Sequence, residues 1–261
     1  MHLFVAHSLR SMLICLCDAI EFSAIVIGCA HMEIVEGIHR VDEASANMAH
    51  SNVYVLINGK ELTVIDTGTG GNARKTVEYV QRIGYKPTDV TAIVITHFHM
   101  DHMGSAKELK DMLPNAKVAA HEADADYISG KKPMPKPKNL LFRAVSSFVK
   151  PEPVSVDISL KENDKIAQLT VLHTPGHTPG SIALLDETRK AIFVGDTLRY
   201  DGEKITGAPE QFTMDASQAK KSLHKITQLN FDVMLPGHGE PLKGHASEAV
   251  KMFAESSGKK S

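Results

Sequence analysis

Hydrophobic and polar positions along this chain fall in short blocks that switch repeatedly between a period of two and a helical period. Residues 52–57 and 61–65 are β-rich runs on either side of Asn58-Gly59, a pair that favours the backbone angles of a tight hairpin. Asp66-Thr67-Gly68 closes that hairpin, and residues 73–83 then set Val77, Val80 and Ile83 on one helical face. A strand over 92–95, a helix over 105–113 and a short strand over 117–120 follow, and residues 33–38 read as an opening strand.

The second half repeats the theme. Residues 181–185 and 191–194 form a hairpin around 186–190 that ends in Asp196-Thr197, as the first ends in Asp66-Thr67. Helices are expected over 214–229, with Asp215 near the start, and over 245–253. This order predicts an α+β domain in which two similar β halves pack face to face with helices outside.

Between the halves the pattern breaks. Residues 130–150 hold Lys131, Lys132, Lys136, Lys138, Arg143 and Lys150 with no acidic residue, and Pro133, Pro135 and Pro137 block regular structure. This insertion is either a solvated loop or a cover over the site, with Leu140, Leu141, Phe142, Val145 and Phe148 facing a substrate. The first 31 residues also differ from the rest and contain all three cysteines, Cys15, Cys17 and Cys29. Residues 11–30 are apolar, but Asp18 and Glu21 leave no uninterrupted span of about 18 residues to cross a bilayer. Val26-Ile27-Gly28-Cys29 loosely resembles a lipoprotein cleavage site; the preferred expectation is that Met32 is the natural start, residues 1–31 are an extension and 32–261 are the catalytic domain.

With 261 residues the chain is long enough for one sizeable core. A formal net charge of −2 gives no global attraction to nucleic acid or anionic lipid, and the absence of Trp argues against a base-stacking surface. Homo-oligomerisation stays open. A catalytic region without cysteine suits a reducing cytoplasm.

The chemistry is concentrated in Thr96-His97-Phe98-His99-Met100-Asp101-His102, directly after an apolar strand. His97 and His99 alternate onto one face of an extended segment, so both can point at one ion, while Asp101 and His102 follow where the chain turns. Three more ligand-type residues stand in turn contexts: His177 in Thr174-Pro175-Gly176-His177-Thr178-Pro179-Gly180, Asp196 after Phe193-Val194-Gly195, and His238 in Pro236-Gly237-His238-Gly239.

In this order the set resembles the metallo-β-lactamase superfamily, whose HxHxDH…H…D…H pattern is matched at every position between about residues 33 and 242. The resemblance implies a four-layer αβ/βα sandwich. It implies two divalent metal ions, the first held by His97, His99 and His177, the second by Asp101, His102 and His238, with Asp196 bridging. Imidazole and carboxylate donors without thiolate suit Zn, Fe or Mn alike, and Zn is the expectation. Two such ions about 3.5 to 4 Å apart share a water and bring its pKa to near 7. Asp101 would also aim the bridging hydroxide, Asp66 would orient a ligand histidine or cap its turn, and Tyr200 would donate to a substrate oxygen or serve packing.

True β-lactamases of this fold do not have the bridging aspartate, so Asp196 points to the glyoxalase II, lactonase and nuclease branches. The short stretch beyond His238 argues against the glutathione-binding helical region of a dedicated glyoxalase II. The activity that the resemblance implies is hydrolysis of a small-molecule substrate with an ester-like carbonyl, thioester or lactone, by a dinuclear metallo-hydrolase. The alternatives are a mononuclear iron oxygenase resembling persulfide dioxygenase, with His97, His177 and Asp196 around Fe(II), and a nuclease or phosphodiesterase.

Overall fold

The computed structural model describes residues 33–41, 51–135 and 151–258. The N-terminal extension with its cysteines, and the insertion beyond residue 135 with its proposed apolar face, lie outside the described residues.

Among the described residues, strands β1 (Glu33–Val35), β2 (Ile38–Arg40), β3 (Tyr54–Asn58), β4 (Glu61–Ile65), β5 (Val90–Ile95), β6 (Lys117–His121) and β7 (Ile158–Leu160) make one sheet in sequence order. A second sheet runs β15 (Leu242–Lys243), β14 (Val233–Pro236), β11 (Ala191–Gly195), β10 (Ile182–Asp186), β9 (Leu169–His173) and β8 (Lys165–Ile166). A separate ribbon pairs β12 (Leu198–Tyr200) with β13 (Ile205–Gly207). The helices are α1 (Ala73–Arg82), α2 (Met100–Met103), α3 (Ala106–Met112), α4 (Glu122–Ile128), α5 (Ala216–Thr227) and α6 (Ala246–Gly258).

Each half has the same kernel. In the first, β3 and β4 form an antiparallel hairpin and β5 returns parallel to β4 after α1. In the second, β10 and β11 form the hairpin and β14 returns parallel to β11 after α5. A parallel neighbour requires a crossover, and a helix supplies it on the outer face of the sheet.

The strand alternation then sorts the core into three seams, which defines four layers. Val64, Ile93, Ile95 and Val118 point to α1, α3 and α4 on the outside of the first sheet. Their neighbours Ile65, Ala92, Val94 and Ala119 point inward and meet Val171, Ile182, Leu184, Phe193 and Leu235 of the second sheet. Ala183, Ile192, Val194 and Met234 face outward again, where Ile226 of α5 and Val250 of α6 cover them. The four-layer α+β sandwich expected from the pattern is the observed architecture.

Three local readings differ from expectation. The opening strand is a hairpin, because Gly37 takes φ of 74° and reverses the chain between β1 and β2. Helix α2 forms ahead of α3, and so Asp101 and His102 lie on a helical turn. Helix α4 was not anticipated; its first turn carries Glu122 and Asp124 and is capped by the ring of His121, whose Nδ1 accepts from the Ala123 N–H at 3.2 Å. No helix among the described residues is long and apolar enough to cross a membrane.

Candidate metal centre

All seven expected donors meet where strand ends of the two sheets come together. His97 and His99 lie on the extended segment that continues β5, and His99 is the residue from which α2 starts. His177 occupies the loop between β9 and β10, Asp196 follows β11, and His238 follows β14. Their ligand atoms form three overlapping groups, each within 4.8 Å: His97, His99 and His177; His97, His102 and Asp196; Asp101, His102 and His238. Asp196 stands between the sets. Its Oδ1 is 3.2 Å from His102 Nε2 and 3.4 Å from His238 Nε2, whereas its Oδ2 is 3.4 Å from His177 Nε2.

A second tier of residues fixes these donors. Asp66 has φ of 57° at the end of β4, and its Oδ2 is 2.8 Å from Nδ1 of His102. The same carboxylate accepts from the N–H and hydroxyl of Thr96, each at 2.8 Å. Asn52 donates to the carbonyls of Pro236 and Gly239, both at 2.9 Å, and Tyr54 donates to Pro236 at 2.7 Å, so the turn carrying His238 is bound to the first sheet. Ser51 donates to the carbonyl of Asp101. Asp124 is buried and accepts from Phe98 N at 3.1 Å, Thr178 Oγ1 at 2.7 Å and Gly180 N at 2.6 Å, which ties the His97/His99 segment to the His177 loop. Gly237 has no room for a side chain, since a Cβ there would lie 2.6 Å from Asp196 Oδ1 and 2.7 Å from His102 Cε1.

The electrostatics fit cations. Burial holds the pKa of His99 at about 4 and of His177 at about 3, and burial with three neighbouring histidines holds His97 well below the usual value. These imidazoles are therefore neutral donors at neutral pH. Burial opposes ionisation of Asp101 and Asp196, yet His102 and its neighbours outweigh it and keep both carboxyls below the usual range. Nε2 of His97 and both ring nitrogens of His177 are buried without a hydrogen-bond partner. Buried polar atoms are seldom left so. Neutral imidazoles with unused nitrogens around ionised carboxylates are the donor set that divalent ions require.

The last expected residue has contacts of its own. Tyr200 lies on β12, and its hydroxyl donates to the carbonyl of Gly202 at 2.7 Å, while its backbone carbonyl accepts from Glu240 N. Sequence reading missed Asp124, Asn52 and Arg199. Arg199 donates from Nη2 to Asp196 Oδ2 at 2.7 Å, and the only signal in the sequence was a cation three positions after a candidate ligand. Of the insertion's basic residues, Lys132 pairs with Asp126 at 3.0 Å.

Comparison with known proteins agrees with this geometry. The acyl-coenzyme A thioesterase MBLAC2 of Gallus gallus is 30% identical over 229 residues, covering 80% of this chain and 80% of that protein. The probable metallo-hydrolase YflN of Bacillus subtilis (strain 168) is 29% identical over 239 residues, covering 82% of this chain and 88% of its own. Among solved structures, TTHA1623 in a di-iron-bound form is 28% identical with a TM-score of 0.59, covering 74% of this chain and 89% of that one. The family described as the Metallo-beta-lactamase superfamily matches residues 47–238. That match spans most of the sequence, and the chain belongs to the metallo-beta-lactamase superfamily.

Proposed function

We propose that this chain is a dinuclear metal-dependent hydrolase of ester-like carbonyl substrates, with thioesters as the first choice and lactones as the second. The observation that carries the reading is the pairing of two donor groups around one carboxylate, Asp196. Support for a thioester comes from the likeness to acyl-coenzyme A thioesterases over four fifths of the chain. His97, His99 and His177 would hold one ion, Asp101, His102 and His238 the other, and Asp196 would serve both. When bound, two such ions lower the pKa of a water and polarise a carbonyl oxygen.

The protein's own residues do the rest. His97, His102, His177, Asp196 and His238 are buried, whereas His99 and Asp101 are half-buried, so a substrate approaches from the side of these two. Asp101 Oδ2 lies 3.9 Å from His102 Nε2 and 3.1 Å from His238 Nε2, and against its burial these two rings hold the carboxylate ionised. Its Oδ2 accepts a hydrogen bond from the attacking water and aims it at the acyl carbon. The water oxygen joins the acyl carbon, the carbon–sulfur or carbon–oxygen bond breaks, and the proton passes to the departing thiolate or alkoxide. Asp66 and Asp124 keep the donors in place without touching the substrate.

The test is a substrate panel on protein whose metal content has been measured. Acyl-coenzyme A thioesters, aliphatic lactones, a phosphodiester and a glutathione persulfide with oxygen electrode readout separate the reaction classes. Turnover of thioester or lactone with two ions per chain is expected. Oxygen uptake on the persulfide with one iron per chain, or turnover of the phosphodiester alone, would replace this reading.

A further inference from the structure

Arg199 reaches the same carboxylate that the two donor groups share. Its side chain is only 11% exposed, Nη2 donates to Asp196 Oδ2 at 2.7 Å, and Nε is buried without a hydrogen-bond partner. The two oxygens of Asp196 are thus used unequally. Oδ1 faces His102 and His238, the donors grouped with Asp101. Oδ2 faces His177, grouped with His97 and His99, and this oxygen also accepts from the guanidinium. The charge of Arg199 is felt at His177 as well, where it adds to burial in disfavouring a protonated ring.

We propose that Arg199 is a positioning residue that makes the two metal positions unequal. It draws Oδ2 of Asp196 away from the position of His97, His99 and His177 and places a permanent positive charge beside that position. A guanidinium does not lose its proton in a protein, so the effect is present at every working pH. Electron density that Oδ2 gives to Nη2 is less available to an ion, and like charges at such separations repel strongly where water is excluded. Oδ1 faces His102 and His238, both of the other group, and Arg199 donates to Oδ2. The His97/His99/His177 position therefore holds its ion more weakly and exchanges it first. The inference rests on the two-ion reading of the site.

Zinc-loaded full-length protein dialysed against rising dipicolinate, with zinc per chain read by elemental analysis, tests this. The wild type is expected to release its ions in two steps. In Arg199→Gln the first step should need about ten-fold more chelator, and the second should not move. Arg199→Lys keeps a charge but gives up the planar fork, should shift the first step part of the way, and supplies the answer if the Gln variant does not fold. Two zinc ions per chain with unmoved steps in the variants, or with both steps shifted equally, overturns the role of Arg199 alone. A wild type that binds one zinc overturns this inference together with the two-ion reading.

Discussion

Asp66 Oδ2 and His102 Nδ1 are 2.8 Å apart, so the inner nitrogen of this buried histidine is occupied and only Nε2 is presented to Asp101, Asp196 and His238. Burial works against charge on His102, but Asp66, Asp196 and Asp101 together outweigh it and push its pKa well above the ordinary value. A carboxylate behind a ligand histidine fixes both its tautomer and its aim. Asp66→Ala should weaken metal retention by about 10- to 100-fold. It should also cost about 1 to 3 kcal/mol of stability, because the Thr96 N–H and hydroxyl lose their acceptor. Chelator competition and urea unfolding measure the two effects; unchanged metal retention would leave Asp66 with the turn-capping role alone.

Asp196→Ala removes the one carboxylate that faces both donor groups. Activity should fall by at least about 10³-fold, with metal content dropping and the secondary structure retained. Elemental analysis and circular dichroism on the same sample decide this, and near-native turnover with both ions present would refute it.

Gly237→Ala tests the shape of the site independently of its charges. The added methyl group would press on Asp196 Oδ1 and on the ring of His102. Metal affinity should fall although every donor is still present, and a variant with wild-type metal content would show that the strand-end turn yields more than its packing suggests.

The seven candidate residues were legible because four of them crowd into one run after an apolar strand and the other three, His177, Asp196 and His238, each follow a glycine. The strands that were read stood out as apolar, β-branched runs beside turn signals; in Ile93, Val94 and Ile95 every residue is apolar, and only the structure sorts them onto two faces. Asp124 was not, since in Glu122-Ala123-Asp124 it reads as an ordinary acidic first turn, and the groups it binds at Thr178 and Gly180 lie more than fifty positions away. Strands β9 and β14 escaped notice although, like β5, each is buried on nearly every residue. Tyr200 was picked for its closeness to Asp196 in sequence, but its hydroxyl is engaged by Gly202.

Tyr200→Phe should accordingly leave kcat and KM within about two-fold of the wild type, the usual scale for a surface change. A larger loss in kcat alone would return the hydroxyl to the catalytic machinery.

Asp124 supplies a pH dependence with a definite sign. Burial pushes its carboxyl up to about 6, against hydrogen bonds from Thr178, Gly180 and Phe98 that favour the ionised form. An unfolded aspartate titrates near about 3.9, so between these values the folded chain binds the extra proton. The contribution of this group to stability is therefore greatest at low pH and declines as pH rises towards and through 6. Compared with Asp124→Asn under chelator, the wild type should lose about 2 to 3 kcal/mol of relative stability between roughly pH 4 and pH 7. A flat difference between the two unfolding curves would contradict it.

Each donor group takes two residues from the first sheet's half and one from the second: His97 and His99 with His177, Asp101 and His102 with His238. This sets an order for a chain emerging from the ribosome. One group has all its side chains once His177 has been made, whereas the other waits for His238 and for β14 to add beside β11. A nascent chain halted between those points carries every side chain of one donor group and lacks one of the other.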